Sequence, residues 1–123
     1  GLAVASLCVK IEVAFTGVPV SDLTRGQDFF ERLFGSPPDV VVNENEVMWQ
    51  AADAAWLYVV VDPARAGHAL AAVSVPDLDA ALEDLASRGI EPAIIEQPGP
   101  AARKATFRDP DGNSVAIIEV RDS

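Results

Sequence analysis

The chain holds one cysteine, one histidine and one methionine in 123 residues. A single thiol, Cys8, leaves no partner for an internal disulfide, which suits a reducing, cytoplasmic setting. The single imidazole, His68, has no evident Ser or Cys partner, and no serine stands in a nucleophile-elbow context. No Gly-rich phosphate loop is present. Basic residues are scarce, 9 against 19 acidic, for a net charge of −10. That balance repels nucleic acid; it permits attraction of a cationic small molecule and also serves plain solubility. No apolar run approaches the ~20 residues that span a bilayer, so no membrane partner is expected. The run Leu2–Val9 is too short for a secretory core and has no basic residue before it.

What is present is globular. Half of the residues are hydrophobic, and residues 1–123 suit one domain with one core. "VSDLTRGQDFFERLFG" predicts a helix capped by Ser21 or Asp22, with Leu23, Gly26, Phe30, Leu33 and Phe34 on one face and Gly35 as its stop. "VPDLDAALEDLASRG" repeats the plan, with Asp77 as cap, Leu78, Ala81, Leu82 and Leu85 on one face and Gly89 as stop. Strand-like segments surround both: "KIEVAFTGVPV", "DVVVN", "EVMWQA" and "AWLYVVVD" in the first half, "HALAAVSV", "PAIIE", "KATFR" and "SVAIIEV" in the second. Each half reads strand, helix, three strands. Val20-Ser21-Asp22-Leu23 matches Val75-Pro76-Asp77-Leu78 at an offset of about 55, the mark of an internal duplication. The fold class expected is α+β, with two tandem βαβββ modules, about 9–61 and 68–120, joined by "DPARAG" at 62–67. Asp109 and Asp111 flank Pro110 in "FRDPDGNSVAIIEV", where turn-capping is the expected role.

With "VPVSDLTRGQDFFERLFG" early and "FRDPDGNSVAIIE" late, the chain resembles the vicinal oxygen chelate superfamily from about Val13 to Glu119. That superfamily includes glyoxalase I, extradiol dioxygenases, fosfomycin-resistance enzymes and bleomycin-resistance proteins. The resemblance implies curved sheets forming a cup with the helices outside. In the family's enzymes, His, Gln or Glu side chains hold one divalent metal in that cup. The corresponding positions here are Phe15, Tyr58, Leu70 and Ala116. Phe, Leu and Ala offer no lone pair, and a neutral Tyr is a weak ligand. No metal, no cofactor and no catalytic residue is therefore assigned. A shifted metal site around His68 and Glu46 remains the alternative, since His68 on a strand would share the face of Leu70. Glu119, three residues past Ala116, falls on the opposite face and reads as an exposed strand-end charge.

Stepping by two from the aligned positions gives the cup lining. The first module offers Val13, Phe15, Gly17, Glu46, Met48, Gln50, Trp56, Tyr58 and Val60. The second offers His68, Leu70, Ala72, Lys104, Thr106, Arg108, Ser114, Ala116 and Ile118. Trp49 and Phe107 point outward as core. One side is aromatic, the other small or polar, which suits a flat, partly apolar ligand. The candidate ligand-binding residues are Phe15, Met48, Trp56, Tyr58, His68, Leu70, Lys104, Thr106 and Ala116. The alternatives are aromatics that fill the cup themselves, or rings packed at a dimer interface. The function expected is metal-independent binding of a small, partly aromatic organic molecule, of the antibiotic-sequestering kind. The rivals are a glyoxalase- or dioxygenase-like metal enzyme with an unaligned site and a ligand-free dimerisation module. The resemblance implies a homodimer. "WLYVVVD", apolar on both faces, needs cover from a neighbouring sheet or a second subunit.

Overall fold

Two aspartates start the two helices. Asp22 accepts from the Arg25 backbone N–H at 3.2 Å, opening α1 (Leu23–Phe34), and Asp77 accepts from Ala80 N–H at 3.1 Å, opening α2 (Leu78–Ser87). Each supplies an acceptor to a helix end that has none of its own. In this computed structural model, residues 9–121 are described; Cys8 and the run from Leu2 lie outside them, Val9 excepted. Gly35 ends α1 in a left-handed conformation, and Arg88, then Gly89, close α2.

Around α1 stand β1 (Ala14–Val20), β2 (Val40–Asn43), β3 (Glu46–Ala52) and β4 (Ala55–Val61). Around α2 stand β5 (Leu70–Ser74), β6 (Ile94–Gly99), β7 (Ala102–Arg108) and β8 (Ser114–Val120). The sheets are ordered β1-β4-β3-β2 and β5-β8-β7-β6. In each, the first strand runs parallel to the last, and the rest pair antiparallel. The chain is thus α+β with two βαβββ modules, and β1 lies against β5 at their seam. The duplication reaches the register itself: Phe15 pairs with Trp56 and Gly17 with Tyr58, as Leu70 pairs with Ser114 and Ala72 with Ala116.

Strand alternation sends one set of side chains under the helices. Val18, Val20, Val47, Trp49, Leu57 and Val59 pack against α1, with Phe29, Phe30 and Leu33. Trp49 is 1% exposed, donates Nε1–H to the Ser36 carbonyl at 2.9 Å, and lies 5.6 Å from Phe34 and 6.1 Å from Phe30 by ring centroids. Ala71, Ala105, Phe107, Val115 and Ile117 do the same under α2. Both outward core residues expected from the alternation, Trp49 and Phe107, are buried there.

The DPDGN turn does more than reverse the chain. Asp109 accepts from the backbone N–H groups of Asp111 at 3.0 Å and Asn113 at 2.8 Å, which is the turn-capping role. Asn113 is fully buried, and its side chain spans both modules. Its amide donates to the Pro19 carbonyl in β1 at 2.7 Å and to Asp109 at 2.8 Å; its oxygen accepts from Ala69 N–H at 2.9 Å. Asp111 accepts from Ser21 N–H at 3.1 Å and Ser21 Oγ–H at 2.5 Å, beside the start of α1. The linker passes so close that a Cβ at Gly67 would stand 2.6 Å from the Asp111 carbonyl oxygen, and Gly67 has φ +89°. Only glycine meets both demands there.

Two expectations are corrected. Glu119 is on the face opposite Ala116 but is 6% exposed, not a surface charge. It accepts from Leu78 N–H, an orphan donor at the start of α2, at 2.9 Å, and from Arg121 at 2.9 Å. His68 is not on a strand: β5 begins at Leu70, and His68 sits exposed after the linker turn, donating N–H to the Arg65 carbonyl at 3.4 Å. Its side chain therefore does not share the ladder that orients Leu70. In "WLYVVVD", β4 is an inner strand between β1 and β3, with Leu57 and Val59 under α1 and Trp56, Tyr58 and Val60 half-buried on the open face.

Replacing Asn113 with Ala strands the Pro19 carbonyl and the Ala69 N–H. Denaturant unfolding of Asn113→Ala should register a loss of about 1–3 kcal/mol for each. Glu119 provides a pH test. The Leu78 N–H, then the Arg121 guanidinium, hold its carboxyl below the ordinary value of 4.5. A carboxylate lowered in the folded state contributes stability above its unfolded value and loses it as pH falls through the folded one. The stability gap between wild type and Glu119→Gln should hold steady above pH 4.5 and shrink below it, as read from urea midpoints.

Candidate ligand-binding face

The sheet faces turned away from the helices are built in layers, each crossing three strands. In the first module the layers are Phe15–Trp56–Gln50, Gly17–Tyr58–Met48 and Pro19–Val60–Glu46. In the second they are Leu70–Ser114–Arg108, Ala72–Ala116–Thr106 and Ser74–Ile118–Lys104. Opposed residues in a ladder share a face, so each layer presents its side chains together.

The middle layers differ. In the first module, Tyr58 lies across β1: a Cβ at position 17 would stand 2.5 Å from Tyr58 Oη and 2.6 Å from Cζ. Gly17 is the residue that lets the ring approach the backbone this closely. In the second module Ala72 and Ala116 project only methyl groups, and a hollow of about 240 Å³ opens. It is lined by Leu70, Ala71, Ala72, Lys104, Thr106, Ser114, Ala116 and Ile118. The floor is apolar and the sides carry two hydroxyls and an ammonium. Lys104 pairs with Glu96 at 3.5 Å, and Arg108 Nη1 donates to Ser114 Oγ at 3.4 Å.

Of the nine candidate residues, Leu70, Lys104, Thr106 and Ala116 meet at this hollow. Phe15, Met48, Trp56 and Tyr58 share the first module's open face, where Phe15 is 58% exposed and the other three are half-buried. His68 lies at neither place. Ser114 and Ile118, already on the inward-facing set, complete the hollow. Ile94 and Glu96 of β6 stand opposite Thr106 and Lys104 and belong to the same face. Alternation was no guide to them, because "PAIIE" shows none.

The family's metal does not fit these residues. Phe15, Tyr58, Leu70 and Ala116 occupy open-face positions, but their side chains supply one phenol and three hydrocarbons. Among the described residues no three His, Cys, Asp or Glu side chains come together in a metal-holding group. Glu46 lies on the first module's open face and His68 beyond the end of β5, so no strand aligns the two.

Residues 12–117 match the model of the Glyoxalase/Bleomycin resistance protein/Dioxygenase superfamily. No curated protein matches the chain. Among solved structures, a glyoxalase / bleomycin resistance protein from Catenulispora acidiphila DSM 44928 is 38% identical with a TM-score of 0.83, over 88% of this chain and 97% of that one. TnmS3, an antibiotic binding protein from Streptomyces sp. CB03234, is 26% identical with a TM-score of 0.68, over 94% of this chain and 99% of that one. A bleomycin-binding protein complexed with bleomycin shares the fold at 23% identity and a TM-score of 0.67, over 86% of this chain and 96% of that one. No helix among the described residues is long and apolar enough to cross a membrane.

Proposed function

The chain belongs to the Glyoxalase/Bleomycin resistance protein/Dioxygenase superfamily, and we propose that within it this protein binds a small, partly aromatic organic molecule on its open sheet face without a metal. Antibiotic sequestration is the biological role proposed. The observation that carries the reading is the second-module hollow, apolar at its floor and polar at its sides, lined by Ala116 at the position where the family resemblance implies a ligand carboxylate. A cavity of that character holds a ligand by surface burial and a few directed polar groups. Phe15 and Trp56, paired across β1 and β4, offer rings to a flat molecule. The antibiotic-binding and bleomycin-binding relatives support the same class of ligand.

The protein acts as a homodimer in this reading. Phe15 is 58% and Leu70 87% exposed in the single chain, both on the open face and near the seam. A second copy would bury these apolar surfaces and complete the walls around the ligand. Sedimentation at micromolar concentration should show a dimer; a monomer at that concentration contradicts the assembly.

A titration with planar organic molecules, read by tryptophan fluorescence, tests the binding. Trp56 should be quenched or shifted, and Trp49, sealed beneath α1, should respond less. Trp56→Ala should weaken binding by about 1–3 kcal/mol, the usual range for an aromatic anchor. Trp49→Ala should lower stability by about 3–5 kcal/mol instead, as truncation of a large core residue does. Loss of binding in Trp49→Ala with stability intact, alongside unfolding of Trp56→Ala, would reverse the assignment.

A further inference from the structure

We infer that the second-module hollow is a slot for one aromatic ring carrying an acidic oxygen, a phenolate or a ring carboxylate, with Arg108 as its counter-charge. The inference rests on the ligand-binding reading above and specifies the chemistry of what is bound.

The shape of the slot follows from the duplication. The two modules repeat one register, so Ala72 stands where Gly17 stands and Ala116 where Tyr58 stands. In the first module the space over the middle layer is taken by a phenol ring of the chain itself, its oxygen end lying over Gly17. In the second module the same ladder is present and the ring is missing. The volume thereby opened is shaped by a backbone that accommodates a phenol in its other copy. A second aromatic ring is the occupant that this scaffold fits.

The charge follows from the outer layers. Lys104 is paired with Glu96 at 3.5 Å. Arg108 has no carboxylate partner among the described residues; it does not line the hollow itself, but its one side-chain bond goes to the Oγ of Ser114, a lining residue, at 3.4 Å. The first-module counterpart of Arg108 is neutral Gln50, whose amide donates to the Asp53 carbonyl at 3.1 Å. The module that lacks the ring is therefore the one whose open face carries a guanidinium with no carboxylate partner among the described residues. In a chain of net charge −10, an unpaired guanidinium beside an apolar slot sets a local positive field against the overall one. Its planar fork matches a carboxylate or phenolate oxygen. The Thr106 hydroxyl, two residues before Arg108 on β7 and paired with Ala116, has no side-chain partner among the described residues and supplies a donor at the side of the hollow.

The test uses three probes of one shape: 2-naphthoate, 2-naphthamide and 2-naphthylmethylammonium. Each is titrated into the intact protein and followed by backbone and methyl NMR. The expected result is naphthoate binding with shifts at Ala72, Thr106, Ala116 and Ile118, and about tenfold weaker binding of the amide, the scale of one charge-assisted hydrogen bond. Arg108→Gln, at an exposed position, should erase the preference for naphthoate. The double variant Ala72→Gly with Ala116→Tyr copies the first module's filled layer and should abolish naphthoate binding while its circular dichroism stays that of wild type. A preference for the ammonium or the amide overturns the inference, as does naphthoate affinity unchanged in Arg108→Gln. Shifts confined to Phe15, Trp56 and Tyr58 overturn it while leaving the broader binding reading intact. Failure of all three probes and of the planar panel to bind overturns both.

Discussion

The buried Asn113 amide is the contact on which the arrangement of the two modules depends. Its donor reaches the Pro19 carbonyl in β1 and its acceptor takes the Ala69 N–H that leads into β5, with Asp109 as the third partner. One side chain thereby satisfies backbone groups from both halves in a place that water does not reach. Each of those groups would be costly to bury alone, so the site holds together only when β1, β5 and the turn before β8 are all in place. Asp111, bonded to Ser21, extends the same lock to the start of α1. On the helix side Arg88 of the second module donates to the last carbonyls of α1, Arg32 and Leu33. These two locks hold the seam between β1 and β5 from both ends of the helices, and the open faces are positioned by it.

Much of this was legible in the residues. The caps at Asp22 and Asp77, the stop at Gly35, and the two sheet faces all follow from local chemistry and from periods of 3.6 and 2. Trp49 is buried and Trp56 lies on the open face, as alternation requires. What was not legible depends on partners far apart in the chain. Counting along β8 puts Glu119 on the right face, but nothing within the strand tells that the first turn of α2 stands over it. The one signal was an acid on the core face of an otherwise apolar strand, which demands a donor. DPDGN reads locally as a hairpin turn; its bond to Pro19 spans 94 residues. The apolar neighbours of His68 read as strand, whereas the linker turn and the Asn113 contact at Ala69 delay the ladder to Leu70.

The hollow falls between these cases. Ala72, Thr106 and Ala116 each appear on an inward face by counting, but no single one of them marks a space. The space exists because the register sets three small side chains in one layer, flanked by Leu70 and Ile118. A one-residue slip in either pairing would move every member to the helix side. The same register in the first module produces no hollow, because Tyr58 occupies the layer and Gly17 accepts it.

The two copies have also divided the work of burial. The close aromatic pairs among the described residues all lie in the first module, joining Phe29, Phe30, Phe34 and Trp49. Phe107 replaces Trp49 in the second, and α2 presents Leu78 and Leu85 where α1 presents three phenylalanines. Aromatic side chains each bury roughly 150–250 Å², so the first module contributes the larger share of apolar burial per strand. A filled open face adds to that share. The second module, with a lighter core and an uncovered middle layer, gives up that burial within the chain. The Asn113 lock couples its folding to the heavier module, and that coupling is what allows one of two equivalent surfaces to remain open for a ligand.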